Sequence, residues 1–360
     1  MLRADVSLSF PAIAQGITSD YFKPTKLVID WQISLIDMRS VLSALGHCLQ
    51  DLTIGAIGVG EPISPPATAP IDLSHLTSLK VDQVDFSFLK ELLASVAMDS
   101  LRALDLRVRS SEGKLDELNL GWSRLKDVVL CDDFSPETLN KLMRSLRGVT
   151  RLKWSGELAR ADHNKYTYQL DSLTDVSVCS NEDGCSFFIR SLQSRFVETL
   201  HLSHFPQSCK GHDLSAVRNL SIEHDISADQ FLATLHHFPT LVNADFKIGG
   251  STATEQSESF TMQENIASLK SLTLRGVSAP IRQLLMPIPL FKLKSLAIIF
   301  DLKEAKHQFC LGLSDCLQKE TIQLSNLCLV DANITGEELR SILEIVGPTL
   351  VGYQVRQTRL

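Results

Sequence analysis

Apolar residues recur along this chain in a six-residue frame, apolar-x-x-apolar-x-apolar. Its clearest copy is LKSLTL at Leu269. The same frame is read in LQDLTI at Leu49, LTSLKV at Leu76, LRALDL at Leu101, LKDVVL at Leu125, VTRLKW at Val149 and LTDVSV at Leu173. It continues in VETLHL at Val197, VRNLSI at Val217, LVNADF at Leu241, LKSLAI at Leu293, LSNLCL at Leu324 and LVGYQV at Leu350. The apolar residues at frame positions four and six lie two apart and point to one face of a short strand. Positions three, five and seven then point to the other face. The frame starts at 101, 125, 149, 173 and 197, a constant step of 24, and returns to phase at 293 after steps of 20, 24, 28 and 24.

Between frames the apolar spacing changes to that of a helix. Phe88, Leu89, Leu92, Leu93 and Val96 share one helical face, as do Leu139, Leu142, Met143 and Leu146, and Leu339, Ile342, Leu343 and Val346. Ser135 followed by Pro136 predicts a helix cap with proline at the first helical position. Ser227 with Gln230, and Thr335 with Glu338, have capping-box spacing. Pro287 and Pro289 stop the helical segment begun at Ile281. LDELNL at Leu115 fits the frame out of phase and is expected as a strand-like turn on the helical side. Two Gly/Pro/Ser/Thr-rich stretches, 55–72 and 249–263, are expected as loop insertions.

A strand-plus-helix unit of this length cannot bury both its apolar faces alone, whereas stacked copies shield one another. A doubly wound α/β domain also alternates strands and helices, but its strands are longer apolar runs and its period is not constant. A 24-residue period carrying L-x-x-L-x-L is the signature of leucine-rich repeats. The expected fold is therefore α/β: a single leucine-rich-repeat domain over 1–360, with about twelve repeats between 26 and 355. It would be a curved right-handed superhelix, with the parallel sheet on the concave face and helices on the convex face.

The uneven repeat lengths and mixed Leu/Val/Ile frames resemble the repeat regions of F-box proteins of the fungal type. That resemblance implies a partner held on the concave face and a link to a ubiquitin ligase through an F-box. The Asn or Cys of the family, three residues beyond the frame, is replaced by Val84, Arg109, Asp133, Phe205, Asp225 and Val277, with Asn181 the one match. FPAIAQGI at 10–17 resembles the start of an F-box, but the strand-like run from Lys26 to Asp30 follows too soon for its helices. The alternatives are a scaffold or inhibitor unconnected to ubiquitin, or a regulator of enzymes.

Composition narrows the function. Hydrophobic residues make up 44% and charged residues 21%, as in a folded soluble chain. A net charge of -7 disfavours nucleic-acid binding, which needs a basic footprint. No apolar run is long enough to span a membrane, and no secretory signal is read. Eight cysteines without a C-x-x-C pair suit a reducing compartment, so a cytoplasmic or nuclear location and a monomer are expected.

No catalytic, cofactor or metal site is expected. His201, His204, Cys209, His212 and His224 cluster in sequence, but strand geometry spreads them too far apart for tetrahedral zinc. Phosphate-loop and nucleophile-elbow motifs are missing, so an enzyme is not the expectation. The candidate site is the outward row of the sheet, expected to bind an unknown protein partner: Lys80, Asp105, Lys153, Ser177, His201, Ser221, Asp245, Thr273, Ala297 and Cys328, with Ile299 and Val330 beside the last two. Ala297, Ile299, Cys328 and Val330 would form a small apolar contact patch, unless a loop or the tail VRQTRL covers it.

Overall fold

The computed structural model describes residues 24–30, 33–55, 70–109, 115–158, 167–193, 195–206, 214–249, 268–277, 284–288, 290–300, 313–318, 322–332 and 334–356. The chain forms two compact units. The first runs to Leu173 and includes Cys179–Gly184 and Ser191–Gln193, while the second holds the remainder.

Every frame becomes a strand, and each strand begins at frame position three. In the first unit these are β1 (Lys26–Ile29), β2 (Asp51–Gly55), β3 (Ser78–Asp85), β4 (Ala103–Arg109), β5 (Asp127–Cys131) and β6 (Arg151–Ser155). In the second they are β7 (Asp175–Cys179), β8 (Thr199–Leu202), β9 (Asn219–Ile226), β10 (Asn243–Ile248), β11 (Ser271–Val277), β12 (Ser295–Phe300), β13 (Asn326–Val330) and β14 (Gly352–Arg356). Within each unit neighbouring strands pair in parallel, with like frame positions opposite one another: Ser78 faces Ala103, Asn243 faces Ser271, and Asn326 faces Gly352. An all-parallel sheet built from such stacked units is an α/β leucine-rich-repeat solenoid.

One backbone contact recurs at each step within a unit. The amides of frame positions two and three both donate to the position-two carbonyl of the preceding repeat. Thr77 and Ser78 donate to Gln50 O, Lys126 and Asp127 to Arg102 O, and Lys294 and Ser295 to Lys270 O, at 2.7–3.1 Å. A second contact precedes the frame. The amide of position one closes a tight turn onto the carbonyl three residues back, as Leu76 does to Leu73, Leu173 to Leu170 and Leu241 to Phe238. Leu73, Leu170 and Phe238 are buried, so these frames carry an additional apolar anchor.

Parity decides burial. Frame position four is at most 4% exposed from Leu52 in β2 to Leu327 in β13. Positions three and five of the same strands are part-exposed or exposed. Trp154 at position six is fully buried, and its indole Nε1 donates to Asp132 O at 3.1 Å. In β14 position four is Tyr353, 65% exposed, because no further described repeat packs against it.

The crossovers are helical in part. The helices are α1 (Leu35–Leu45), α2 (Phe86–Ala94), α3 (Pro136–Ser145), α4 (Glu182–Ser191), α5 (Ala228–His237), α6 (Leu313–Gln318) and α7 (Gly336–Val346). Their starts match the capping signals. Ser135 Oγ accepts from the Thr138 amide with Pro136 at the first position, and both capping boxes, Ser227 with Gln230 and Thr335 with Glu338, are closed. Each cap satisfies amides that a helix start leaves unpaired and contributes about 1 kcal/mol.

Three expectations need correction. Val96 is not on the helical face of α2. The helix ends at Ala94, and Val96–Ala97 pair in parallel with Ile71–Asp72 as a minor two-stranded sheet. The LDELNL segment is a 3-10 turn at Leu115–Glu117 rather than strand-like: Leu115 and Leu118 are buried anchors outside the ladder. A second 3-10 turn, Trp122–Arg124, follows, so the described link from β4 to β5 contains no α-helix. Of the expected insertions, 56–69 and 250–263 lie outside the described residues. Gly55 closes β2, and Ile71–Asp72 form the short strand just named. Of the segment starting at Ile281, Leu284 and Leu285 are helical, and residues 281–283 and Pro289 lie outside the described set.

The alternation gives a direct test of the packing. Trp154→Ala should lower the unfolding free energy by about 3–5 kcal/mol, through lost burial and the cavity left behind. Lys153→Ala, one residue away on the opposite face, should change it by no more than about 0.5 kcal/mol. Urea denaturation of both variants checks the pair.

Candidate functional site: the open face of the sheet

Positions three, five and seven of successive frames form three rows across each unit. Parallel strands lie about 4.8 Å apart, so side chains at one frame position stand shoulder to shoulder. In the first unit Lys80, Asp105, Val129 and Lys153 are consecutive register partners along row five. In the second, Ser177, His201, Ser221, Asp245, Thr273, Ala297, Cys328 and Gln354 are consecutive partners. Ile299 and Val330 are register partners in row seven. All twelve candidate residues are thus on the open side, and each is part-exposed or exposed.

Hydrogen bonds and ion pairs link side chains of these rows, most of them from strand to strand. In the first unit Lys80 Nζ is 3.7 Å and Arg107 Nε 3.4 Å from Asp105, and Arg151 makes a two-pronged pair with Asp127. In the second, Asn243 donates to Asn219 Oδ1 at 2.6 Å, and Asn219 donates to Thr199 Oγ1 at 3.1 Å. This is a short amide ladder on row three. Arg275 Nε is 2.8 Å from Asp245 Oδ1, and Lys247 Nζ is 3.0 Å from Asp225 Oδ1. The cationic members Arg107, Arg151, Arg275 and Arg356 were not among the candidate residues. Their signal was present in the sequence, because they occupy positions three and seven of frames already located.

The C-terminal end of the face changes character. Ala297, Ile299, Cys328 and Val330 form a block two strands wide and two positions deep, each half-buried. Val355 and Arg356, the start of the tail expected as a cover, form part of β14, which pairs beside β13. Residues 357–360 lie outside the described set.

Other candidate chemistry resolves as follows. His204 and His224 stack, with ring centroids 3.8 Å apart, and His201 is exposed on β8. Cys209 and His212 lie outside the described residues. Among the described residues no three His, Cys, Asp or Glu side chains are grouped as metal ligands. Asn181, the one residue at the family's Asn position, accepts from the Gly184 amide and caps the start of α4. Burial pushes the Cys131 thiol up from its ordinary value, against the pull of Arg107, which is the opposite of an activated nucleophile.

No protein-family model matches the sequence, and no curated protein matches it. Among solved structures, the TLR13–ssRNA13 complex is similar in fold, with 17% identity, a TM-score of 0.41, and coverage of 92% of this chain and 41% of the TLR13 chain. The chain spans less than half the length of that protein. No described helix is long and apolar enough to cross a membrane.

The Cys131 surroundings make a prediction with a definite sign. Arg107 favours the thiolate, so Arg107→Ala should raise the thiol pKa further. The rate of iodoacetamide labelling at Cys131 should rise at a higher pH in that variant than in the parent chain.

Proposed function

We propose that the chain is a protein-recognition module and that a partner protein docks on the open face of its sheet. The observation that carries this reading is the split between the two faces. One is sealed by the repeat cores, while the other presents continuous rows of polar, charged and small apolar side chains that the fold does not need. Lys80, Asp105 and Lys153 in the first unit, and Ser177, His201, Ser221, Asp245 and Thr273 in the second, supply its polar part. Ala297, Ile299, Cys328 and Val330 supply its apolar part. Repeat proteins use extended surfaces of this kind for binding, and this reading is of a binding module rather than an enzyme.

The resemblance of the repeats to those of F-box proteins supports a narrower version, in which the module selects targets for a ubiquitin ligase in the cytoplasm or nucleus. Co-precipitation with the adaptor that binds F-boxes decides it: a full-length product that recovers no adaptor removes the ligase link. A scaffold, an inhibitor or an enzyme regulator would use the same face.

Affinity capture with mass spectrometry, run with the parent chain beside Lys153→Glu and Ser221→Arg, tests the broader reading. Both positions are open-face and outside the core, so both variants should keep the parent melting temperature. A partner protein held by the parent should be lost or reduced at least about fivefold in one of them, as expected when a like charge or a bulky group meets a fitted surface. An identical captured set from all three chains would refute docking on this face.

A further inference from the structure

Row seven of the last five strands has a specific chemical order. From β10 to β14 it reads Lys247, Arg275, Ile299, Val330 and Arg356, each the register neighbour of the next. Two half-buried aliphatic side chains therefore stand side by side between two guanidinium groups. The open-face residues of these strands at positions three, five and seven include three cations and one carboxylate, Asp245, in a chain whose overall charge is -7. Asp245 is already engaged by Arg275, and Lys247 by Asp225 on β9. Arg356 lies against the Gln354 amide, whose oxygen, turned toward it, accepts at 2.6 Å. No carboxylate of the described residues is paired with it.

We propose that this row binds an extended segment of a partner protein in which an apolar side chain is bracketed by carboxylates, acidic-x-apolar-x-acidic. The proposal rests on the reading of the open face as the docking face and assigns the partner's chemistry. The spacing supports it. Arg275 and Arg356 are three strand intervals apart, roughly 14 Å at about 4.8 Å per strand. A segment lying across the strands rises about 3.3 Å per residue, so side chains at i, i+2 and i+4 share one side and span roughly 13 Å. A carboxylate at i then meets Arg275, the apolar residue at i+2 falls between Ile299 and Val330, and a carboxylate at i+4 meets Arg356. The planar guanidinium favours a two-pronged carboxylate contact. The aliphatic pair between the two ends supplies the desolvated centre that concentrates binding energy.

The test uses the full chain and a fluorescein-labelled nonapeptide, Gly-Ser-Glu-Ser-Leu-Ser-Glu-Ser-Gly, followed by anisotropy in low-salt buffer. Saturable binding is expected, weakening roughly tenfold with Arg356→Glu and roughly tenfold when the central Leu is replaced by Ser. A peptide with Lys in place of both Glu should bind the Arg356→Glu chain better than the parent, a charge-swap rescue that misfolding cannot produce. Three results would overturn the proposal: no binding of the Glu peptide, an equal affinity of the Ser-centred control, or affinity unmoved by Arg356→Glu. Binding of single-stranded oligouridylate at these residues in place of the peptide would also overturn it, because the row would then be a phosphate site. If the peptide fails while Lys153→Glu or Ser221→Arg still releases a captured protein, docking on the open face stands and only the acidic–apolar assignment falls.

Discussion

The structure depends on a shared carbonyl. Within each unit the position-two carbonyl of one repeat accepts from two consecutive amides of the next. That contact sets where every strand begins and holds like frame positions opposite one another. A slip of one residue would carry Leu, Val and Ile of positions four and six to the solvent side, because side chains alternate with a period of two. Core and open face are thus two consequences of one register. The final strand shows what the stacking supplies: Tyr353 stands at the frame position that is buried from β2 to β13, and it is mostly exposed.

The helices obey a separate spacing. An α-helix with its side chains is about 10 Å across, close to twice the interval between strands. Among the described residues α1 to α5 follow alternate strands, β1, β3, β5, β7 and β9, whereas α6 and α7 follow the consecutive strands β12 and β13. The described link from β4 to β5 is folded as 3-10 turns whose Leu115, Leu118 and Trp122 are buried. A constant sequence period can thus coexist with crossovers of unequal content, because what is conserved from repeat to repeat is the ladder contact, and the segment behind it has only to return the chain and close the core.

This explains which features could be read from the sequence. The frames were legible because position-four and position-six residues meet the same demand in each copy. The caps at Ser135, Ser227 and Thr335 were legible because a hydroxyl three residues before its amide partner is a local signal. The LDELNL segment misled because a 3-10 turn and a short strand both want apolar residues a few places apart, and only pairing partners distinguish them. Val96 continued the helical spacing of α2 by sequence and was captured instead by Ile71 across a distant pairing. The tight turn that precedes many of the frames left a weak signal three places upstream, because the residue there is variously Leu, Phe, Trp, Met or Gly, buried in some copies and not in others, and does not register as a motif.

The open face was legible as a location and less so as chemistry, for a physical reason. Its side chains lie outside the core, and its ion pairs, such as Lys80 with Asp105 and Arg275 with Asp245, are exposed ones that contribute about 0–1 kcal/mol each to folding. Stability therefore does not dictate what stands there. Row five, chosen by its central place in the frame, is mixed in character from end to end. Row seven changes from cationic to aliphatic and back within five strands, an order that folding does not require. Because core packing leaves this face unconstrained, the order of its charges around Ile299 and Val330 is a property apart from stability, and it is the feature on which the proposed acidic–apolar docking motif rests.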